Sequence, residues 1–277
     1  MKPRPEPAPG KRAVTSLQNE RVKFIRALEM RKTRRETGLF VAEGASVLVS
    51  ARDAGWKPQT LVFLAGSAAS GVYRDLLRWA EAAGAECLEV SEAVLGKLAA
   101  KENPQTMLGV FEQQWRTLPE PSTVPADAVW LVLEGIRDPG NHGTIIRTVD
   151  AVGASGIVLV GASCDPYSRE AVRATMGSIF NVPLVRTEAE AFRSWLTRWP
   201  GDSVGTHLTA REDFRAAPYC GPVLLMMGSE GPGLSDDLAR VCSRLVKIPM
   251  AGRLDSLNLA VATALVLYEI RRPRLHL

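Results

Sequence analysis

Short apolar runs and amphipathic stretches alternate along most of this chain of 277 residues. Near the start, Leu17, Phe24, Ile25 and Leu28 recur at a helical period, and Arg21, Lys23, Arg26, Arg31, Lys32, Arg34 and Arg35 fill the positions between and after them. Leu39–Ala42 and Leu61–Leu64 read as strands, and Val72–Ala83 as a helix that offers Leu76, Leu77 and Trp79 for burial. From Gln113 to Asp127 the apolar pattern lapses and Pro119, Pro121 and Pro125 stiffen the chain, which marks a linker. Beyond it the pattern changes. Val129–Leu133, Ile157–Val160, Val182–Val185, Val223–Met226 and Leu245–Ile248 are continuous apolar runs separated by the helical stretches Thr144–Val152, Ala189–Trp199 and Asp236–Val241. Unalternating strands interleaved with helices predict a parallel sheet covered on both faces.

The last helix, from Ser256 to about Arg271, carries Leu257, Leu259, Val261, Leu265, Val266 and Leu267. It is apolar nearly all round, so burial in the domain or against a partner subunit is expected. The fold class that follows is α/β: a C-terminal parallel-sheet domain and a smaller N-terminal α/β domain. The expected organisation is a disordered, Pro-rich tail over 1–12, a basic helix plus an α/β domain over 13–112, a linker over 113–127 and the second domain over 128–277.

Charge changes this picture only locally. The formal net charge is +4, yet residues 1–35 alone carry +8, leaving the other 242 residues at −4. That is a positive arm, not a uniformly positive surface, and it predicts nucleic-acid phosphate contacts from Lys23, Arg31, Lys32, Arg34 and Arg35. A purely solvated helix face is the plainer alternative. The four cysteines (Cys87, Cys164, Cys220, Cys242) and three histidines (His142, His207, His276) are scattered, with no closely spaced ligand pair, so no metal is expected. Unpaired cysteines fit a reducing cytoplasm. The longest strongly apolar stretch, Leu257 to Leu267, is too short to span a bilayer, and the N-terminus has no export signal, so no membrane partner is expected.

Candidate chemistry sits in three loops that follow strands of the second domain. They are Asp138-Pro139-Gly140-Asn141-His142-Gly143, Gly228-Ser229-Glu230-Gly231-Pro232-Gly233-Leu234, and Ile248-Pro249-Met250-Ala251-Gly252 running on to Asp255-Ser256-Leu257-Asn258. Ligands of open parallel sheets bind outside the carboxyl ends of strands. The glycines give GxxGxG, not GxGxxG. Neither a GxxxxGK[ST] phosphate loop nor a GxSxG nucleophile elbow occurs, which excludes the common nucleotide and hydrolase fingerprints.

The strings Asn141-His142-Gly143-Thr144-Ile145-Ile146-Arg147, Met227-Gly228-Ser229-Glu230-Gly231, and Ile248-Pro249-Met250 with Ser256-Leu257-Asn258 resemble, in order and spacing, the three motifs of SpoU/TrmH-type RNA ribose methyltransferases. Thr175-Met176-Gly177-Ser178 also looks family-like, with Thr where Ser is commoner. Thr15-Ser16-Leu17-Gln18-Asn19, Lys23 and Phe40-Val41-Ala42-Glu43-Gly44 resemble the family's substrate-binding module less specifically. The resemblance spans about Val14 to Arg271.

It implies a deep trefoil knot in the last part of the chain, a homodimer, and S-adenosylmethionine as methyl donor to a ribose 2′-hydroxyl of RNA. Ribosomal RNA is favoured over transfer RNA because of the separate N-terminal module. A non-catalytic ribosome-assembly factor and a resistance methyltransferase are the competing readings, and the intact Asn141/Arg147/Glu230/Asn258 set argues against the first.

By the resemblance, Arg147 is the essential residue, as base, phosphate clamp or alkoxide stabiliser. Asn141 orients Arg147 or the RNA, or caps its helix. Glu230 pairs with Arg147 or a helix terminus, and Ser256 and Asn258 begin the last helix and complete the catalytic set. Met227, Gly228, Ile248, Met250 and Leu257 are expected to hold the cofactor, largely through backbone groups. His142 departs from the small or aliphatic residue common at its position. As an exposed loop histidine it would contact RNA or accept a proton, or do little.

Overall fold

The computed structural model describes residues 10–69, 71–99 and 106–276. In chain order the first half contains β1 (Gly10–Val14), α1 (Glu20–Ala27), α2 (Arg31–Thr37), β2 (Leu39–Glu43), α3 (Ala45–Asp53), β3 (Thr60–Leu64), α4 (Gly71–Ala82), β4 (Glu86–Val90), α5 (Glu92–Leu98) and β5 (Met107–Glu112). The second half contains β6 (Val129–Glu134), α6 (Pro139–Ala151), β7 (Gly156–Val160), α7 (Arg169–Ala174), β8 (Leu184–Thr187), α8 (Ala189–Leu196), β9 (Asp202–Thr206), β10 (Glu212–Asp213), β11 (Val223–Met227), α9 (Asp236–Val241), β12 (Arg244–Lys247) and α10 (Leu259–Arg271). The chain divides into two compact units. One comprises the described residues up to Gln113 together with Asp165–Asn181; the other comprises Gln114–Cys164 and the described residues from Val182 onward.

The first unit is a five-stranded mixed sheet in the order β1-β4-β3-β5-β2, with β1, β4 and β3 parallel and β5 antiparallel to both its neighbours. Of the tail expected over 1–12, residues 1–9 lie outside the described residues. Residues 10–12 are not a tail, because they open β1 and pair in register with β4. One face of the sheet buries Val41, Val62, Leu88 and Val110 under α1 and α5, which contribute Val22, Ile25, Leu28, Val94, Leu95 and Leu98. Strand alternation sends Phe40 and Phe111 to the opposite face. There they meet Trp56, Tyr167 and Phe180 in an aromatic cluster with ring centroids 4.7–6.5 Å apart.

Tyr167 and Phe180 come from the Asp165–Asn181 segment. It is also tied down by Arg34 Nε to Asp165 Oδ2 at 2.7 Å, Arg169 Nη1 to Glu43 Oε1 at 2.7 Å, and Trp56 Nε1 donating to the Phe180 carbonyl at 2.8 Å. A run of residues lying between β7 and β8 in sequence thus completes the first unit. The expected domain spans of 13–112 and 128–277 do not anticipate this excursion.

The second unit is a seven-stranded, wholly parallel sheet in the order β10-β12-β9-β11-β6-β7-β8. The parallel architecture is the one expected from the unalternating strands. β11, Val-Leu-Leu-Met-Met, is buried along its whole length, and β6, Val-Trp-Leu-Val-Leu-Glu, up to its final Glu134. Phe192, Trp195 and Trp199 of α8 and its exit cover one face. The segment read as a linker is docked from Gln114 onward. Arg116 N–H donates to the Leu184 carbonyl at 2.8 Å, Trp195 Nε1 donates to the Pro119 carbonyl at 2.8 Å, and Leu118 and Val124 pack on the core. No helix among the described residues is long and apolar enough to cross a membrane.

Candidate active site at the carboxyl ends of the second sheet

Three strand ends build the site. After β6 the chain turns at Gly135, which has φ +64°, and enters α6 through a cap made by Asp138. The Asp138 carboxylate accepts the Asn141 backbone N–H at 2.6 Å, and Pro139 occupies the first turn, where its missing N–H costs nothing. This cap sets Asn141 at the helix entrance. After β11 the loop 228–234 folds back on itself, with Ser229 and Gly233 exchanging two backbone hydrogen bonds of 3.1 Å. Gly228 lies against the return of that loop. A Cβ there would stand 1.8 Å from the Gly233 carbonyl carbon, so only glycine fits. After β12 the chain passes through 248–257 to Asn258, the N-cap of α10, whose Oδ1 accepts the Ala260 and Val261 N–H groups at 2.9 and 3.3 Å.

These loops converge on a chain of hydrogen bonds with one polarity. Glu230 accepts from the backbone N–H groups of Arg137 and Asp138, both at 3.2 Å, and from Asn141 Nδ2 at 3.3 Å. Asn141 Oδ1 in turn accepts from Asn258 Nδ2 at 2.9 Å. A carboxylate only accepts and helix-terminal N–H groups only donate, so both amide orientations follow from the ends of the chain. Partial desolvation pushes the Glu230 carboxyl up. Its own backbone N–H, those of Asp138 and Arg137, and the Asn141 amide outweigh that and hold it below the ordinary carboxylate range.

A pocket of about 420 Å³ opens beside this chain. Its lining includes all five expected cofactor residues, Met227, Gly228, Ile248, Met250 and Leu257, together with Glu230 and Ser256. Its volume falls in the range of small-molecule sites, and its walls combine apolar side chains with loop backbone and a few polar groups. Gly228, where no side chain can stand, lets the backbone approach a ligand closely. These features fit a nucleoside-type cofactor.

The structure brings Asn141, Glu230 and Asn258 into direct contact and sets Ser256 in the pocket wall, not at the helix cap. It does not join Arg147 to them. Arg147 lies on the exposed stripe of α6 with Thr144, and its guanidinium makes no hydrogen bond or ion pair among the described residues. His142 is corrected outright. It is not an exposed loop residue but a wholly buried one inside α6, with Nδ1 3.3 Å from Cys164 Sγ.

Arg34 is corrected likewise. It is 4% exposed, its guanidinium is engaged by Asp165 and by the Leu28 and Glu29 carbonyls, and it cannot meet a phosphate. Lys23, Arg31, Lys32 and Arg35 are exposed. Lys23 pairs with Glu20 at 3.0 Å and Lys32 with Glu36 at 4.0 Å, both solvent-facing contacts of little strength.

Sequence reasoning missed the pocket wall at the end of β9 and just beyond it, Thr206, His207, Leu208 and Thr209, with Lys247 from β12. β9 itself, Asp-Ser-Val-Gly-Thr, has no apolar run to announce a strand. Cys87 is buried and Cys242 half-buried, and desolvation pushes their thiols up to about 11 and about 12 respectively. Among the described residues no group of three His, Cys, Asp or Glu side chains is placed to hold a metal ion.

A parallel α/β unit with a small-molecule pocket and a polar relay at its strand ends has the architecture of a cofactor-dependent enzyme. The SpoU rRNA methylase family model matches residues 128–268, and an MRM3-like substrate-binding domain model matches residues 19–109.

A 23S rRNA (uridine(2479)-2′-O)-methyltransferase of Streptomyces viridochromogenes is 32% identical, over 98% of this chain and 96% of its own length. The 23S rRNA (guanosine(2553)-2′-O)-methyltransferase RlmP of Bacillus subtilis is 29% identical over 93% and 98%. The crystal structure of an AdoMet-bound rRNA methyltransferase from Sinorhizobium meliloti superposes with a TM-score of 0.89 at 44% identity, covering 96% of this chain and 99% of that one. The chain belongs to the SpoU rRNA methylase family. It is an RNA methyltransferase, and its cofactor is S-adenosylmethionine.

Proposed function

We propose that the protein methylates a ribose 2′-hydroxyl of 23S ribosomal RNA. The observation that carries this reading is the Glu230–Asn141–Asn258 relay on the rim of a pocket lined by the expected cofactor residues. The 23S rRNA 2′-O-methyltransferase names of the two relatives support the target. S-adenosylmethionine, when bound, supplies an electrophilic methyl group on a sulfonium. Met227, Gly228, Ile248, Met250 and Leu257 hold it. Glu230, kept ionised, fixes the Asn141 amide, and Asn141 with the Ser256 hydroxyl orients the ribose.

A guanidinium stays protonated in proteins, so Arg147 would stabilise the developing alkoxide or clamp the neighbouring phosphate, while the hydroxyl proton leaves to solvent water as the methyl group passes from the sulfonium to the ribose oxygen. Arg147→Ala is expected to lower the single-turnover rate by about 10²–10³-fold, the scale of losing one charge-stabilising group. Cofactor affinity by calorimetry should stay unchanged. A variant that keeps most of its rate removes Arg147 from the chemistry.

Lys23, Arg31, Lys32 and Arg35 supply phosphate contacts to the RNA. The family resemblance also implies a trefoil knot in the last part of the chain, a reading favoured by the meeting of loops 228–234 and 248–258 around one pocket. It implies a homodimer, for which the exposed Val261, Leu265 and Tyr268 of α10 offer an apolar face. Four free cysteines suit a reducing cytoplasm as the working compartment.

A further inference from the structure

The turn that follows α7 is locked on both sides of a single residue. Thr175 is wholly buried; its hydroxyl donates to the Val172 carbonyl at 2.6 Å and accepts the Gly177 N–H at 3.3 Å. Gly177 has φ +104°, and a Cβ there would lie 2.5 Å from Ser50 Oγ. Between them stands Met176, at φ 52°, the one non-glycine residue with positive φ among the described residues. Its side chain is 57% exposed.

A left-handed backbone is costly for a residue with a Cβ, and glycine or asparagine would adopt it more cheaply. An exposed thioether gains no burial to offset that cost. Strain of this kind persists where the surroundings over-determine it and concentrates at sites of function. Two further observations indicate which function. The segment Asp165–Asn181, although it falls within the stretch matched by the methylase model, is part of the first compact unit, whose own stretch matches a substrate-binding domain. One turn earlier, the carbonyl of Arg173 accepts the Met176 N–H at 3.2 Å, and the half-buried Arg173 guanidinium makes no ion pair among the described residues.

We propose that Met176 is a substrate-binding residue, presented by the rigid turn so that its thioether packs on the face of an unpaired RNA base while Arg173 meets an adjoining phosphate. Thioethers pack well on aromatic faces, and unstacked bases are what proteins read in single-stranded RNA. The inference rests on RNA being the substrate of this enzyme.

The test is filter binding of the full-length protein to an unmodified in vitro transcript of the host's own 23S rRNA over a range of salt, with thermal unfolding in parallel. Met176→Gly should weaken RNA binding about tenfold, within the range of one lost base-packing contact, and leave the salt slope unchanged. Its melting temperature should be equal or higher, because the strain is relieved. Met176→Asn, which also tolerates this backbone, should show the same loss, and Met176→Leu should stay within about twofold of wild type because its apolar surface remains. Arg173→Gln should instead reduce the salt slope by about 0.7.

Wild-type affinity in a folded Met176→Gly or Met176→Asn protein overturns the proposal. So does a loss of binding explained by a change in oligomeric state. If the wild type binds and loses affinity when Arg31, Lys32 and Arg35 are neutralised, yet ignores Met176, this proposal alone fails. If the wild type does not bind the transcript, the RNA reading fails with it.

Discussion

Gly228 carries the tightest steric demand in the site, and it illustrates what a motif can and cannot convey. As the first glycine of Gly228-Ser229-Glu230-Gly231 it reads as a place where backbone approaches a ligand, so a bulky replacement would be expected to fill cofactor space. The geometry puts the obstruction elsewhere: a Cβ at 228 meets the Gly233–Leu234 backbone at 1.8–1.9 Å, not the open pocket. Gly228→Ala is therefore expected to be as damaging as Gly228→Val, because either pushes apart the strands of a loop closed by the Ser229–Gly233 pair. The measurable consequence is at least a hundredfold loss of S-adenosylmethionine affinity for both, about 3 kcal/mol. An alanine variant that binds normally while the valine variant does not would restore the simpler space-filling account. Residue identity was legible in the sequence at Asn141, Glu230 and Asn258. Their order in the relay was not, since nothing in the spacing says that Asn141 stands in the middle.

At the scale of elements, apolar runs announced the parallel strands β6, β7, β8, β11 and β12 and the helices α6, α8 and α9, but not α7. Elements with polar residues in their interior, β9 and β4 (Glu-Cys-Leu-Glu-Val), escaped notice because burial by neighbours, not sequence periodicity, makes them strands. The basic helix pair shows the same limit in its charges. Five of its cations, Lys23, Arg26, Arg31, Lys32 and Arg35, face solvent, but Arg34 turns inward to Asp165, and no one-dimensional pattern separates a cation that binds RNA from one that holds two segments together. The two kinds should respond oppositely. Arg31→Gln, Lys32→Gln and Arg35→Gln combined should leave the melting temperature within a few degrees and flatten the salt dependence of RNA binding by about 0.7–0.9 per lost contact. Arg34→Ala should cost about 3–5 kcal/mol of stability, because it strands the Asp165 carboxylate in a buried site. If Arg34→Ala unfolds like wild type and loses only RNA affinity, the buried pair does not hold the segment.

For the whole molecule, the decisive feature is the face that α10 leaves uncovered. Read along the chain, this helix is apolar nearly all round, which predicts burial without saying against what. In the single chain Leu259, Ala260, Thr263, Val266, Leu267 and Ile270 are buried, while Val261, Leu265 and Tyr268 remain 50%, 42% and 51% exposed. Their spacing of four and three residues puts them on one stripe. About half of each side chain is still exposed, so covering the rest is worth roughly 0.7–1.5 kcal/mol each, a contribution that a two-fold contact counts twice. A second copy of the chain is the partner the family resemblance implies, and a two-fold interface lets one stripe serve both subunits. Light scattering at about ten micromolar should therefore give twice the mass of the 30.0 kDa chain. Val261→Glu with Leu265→Glu should return the single-chain mass, since each carboxylate would have to lose its water at the contact. Both substitutions lie on a surface already solvated in the single chain, so circular dichroism of the variant should match wild type. A wild-type protein of single-chain mass at that concentration would mean that the stripe faces water or another molecule, and the homodimer would have to be abandoned.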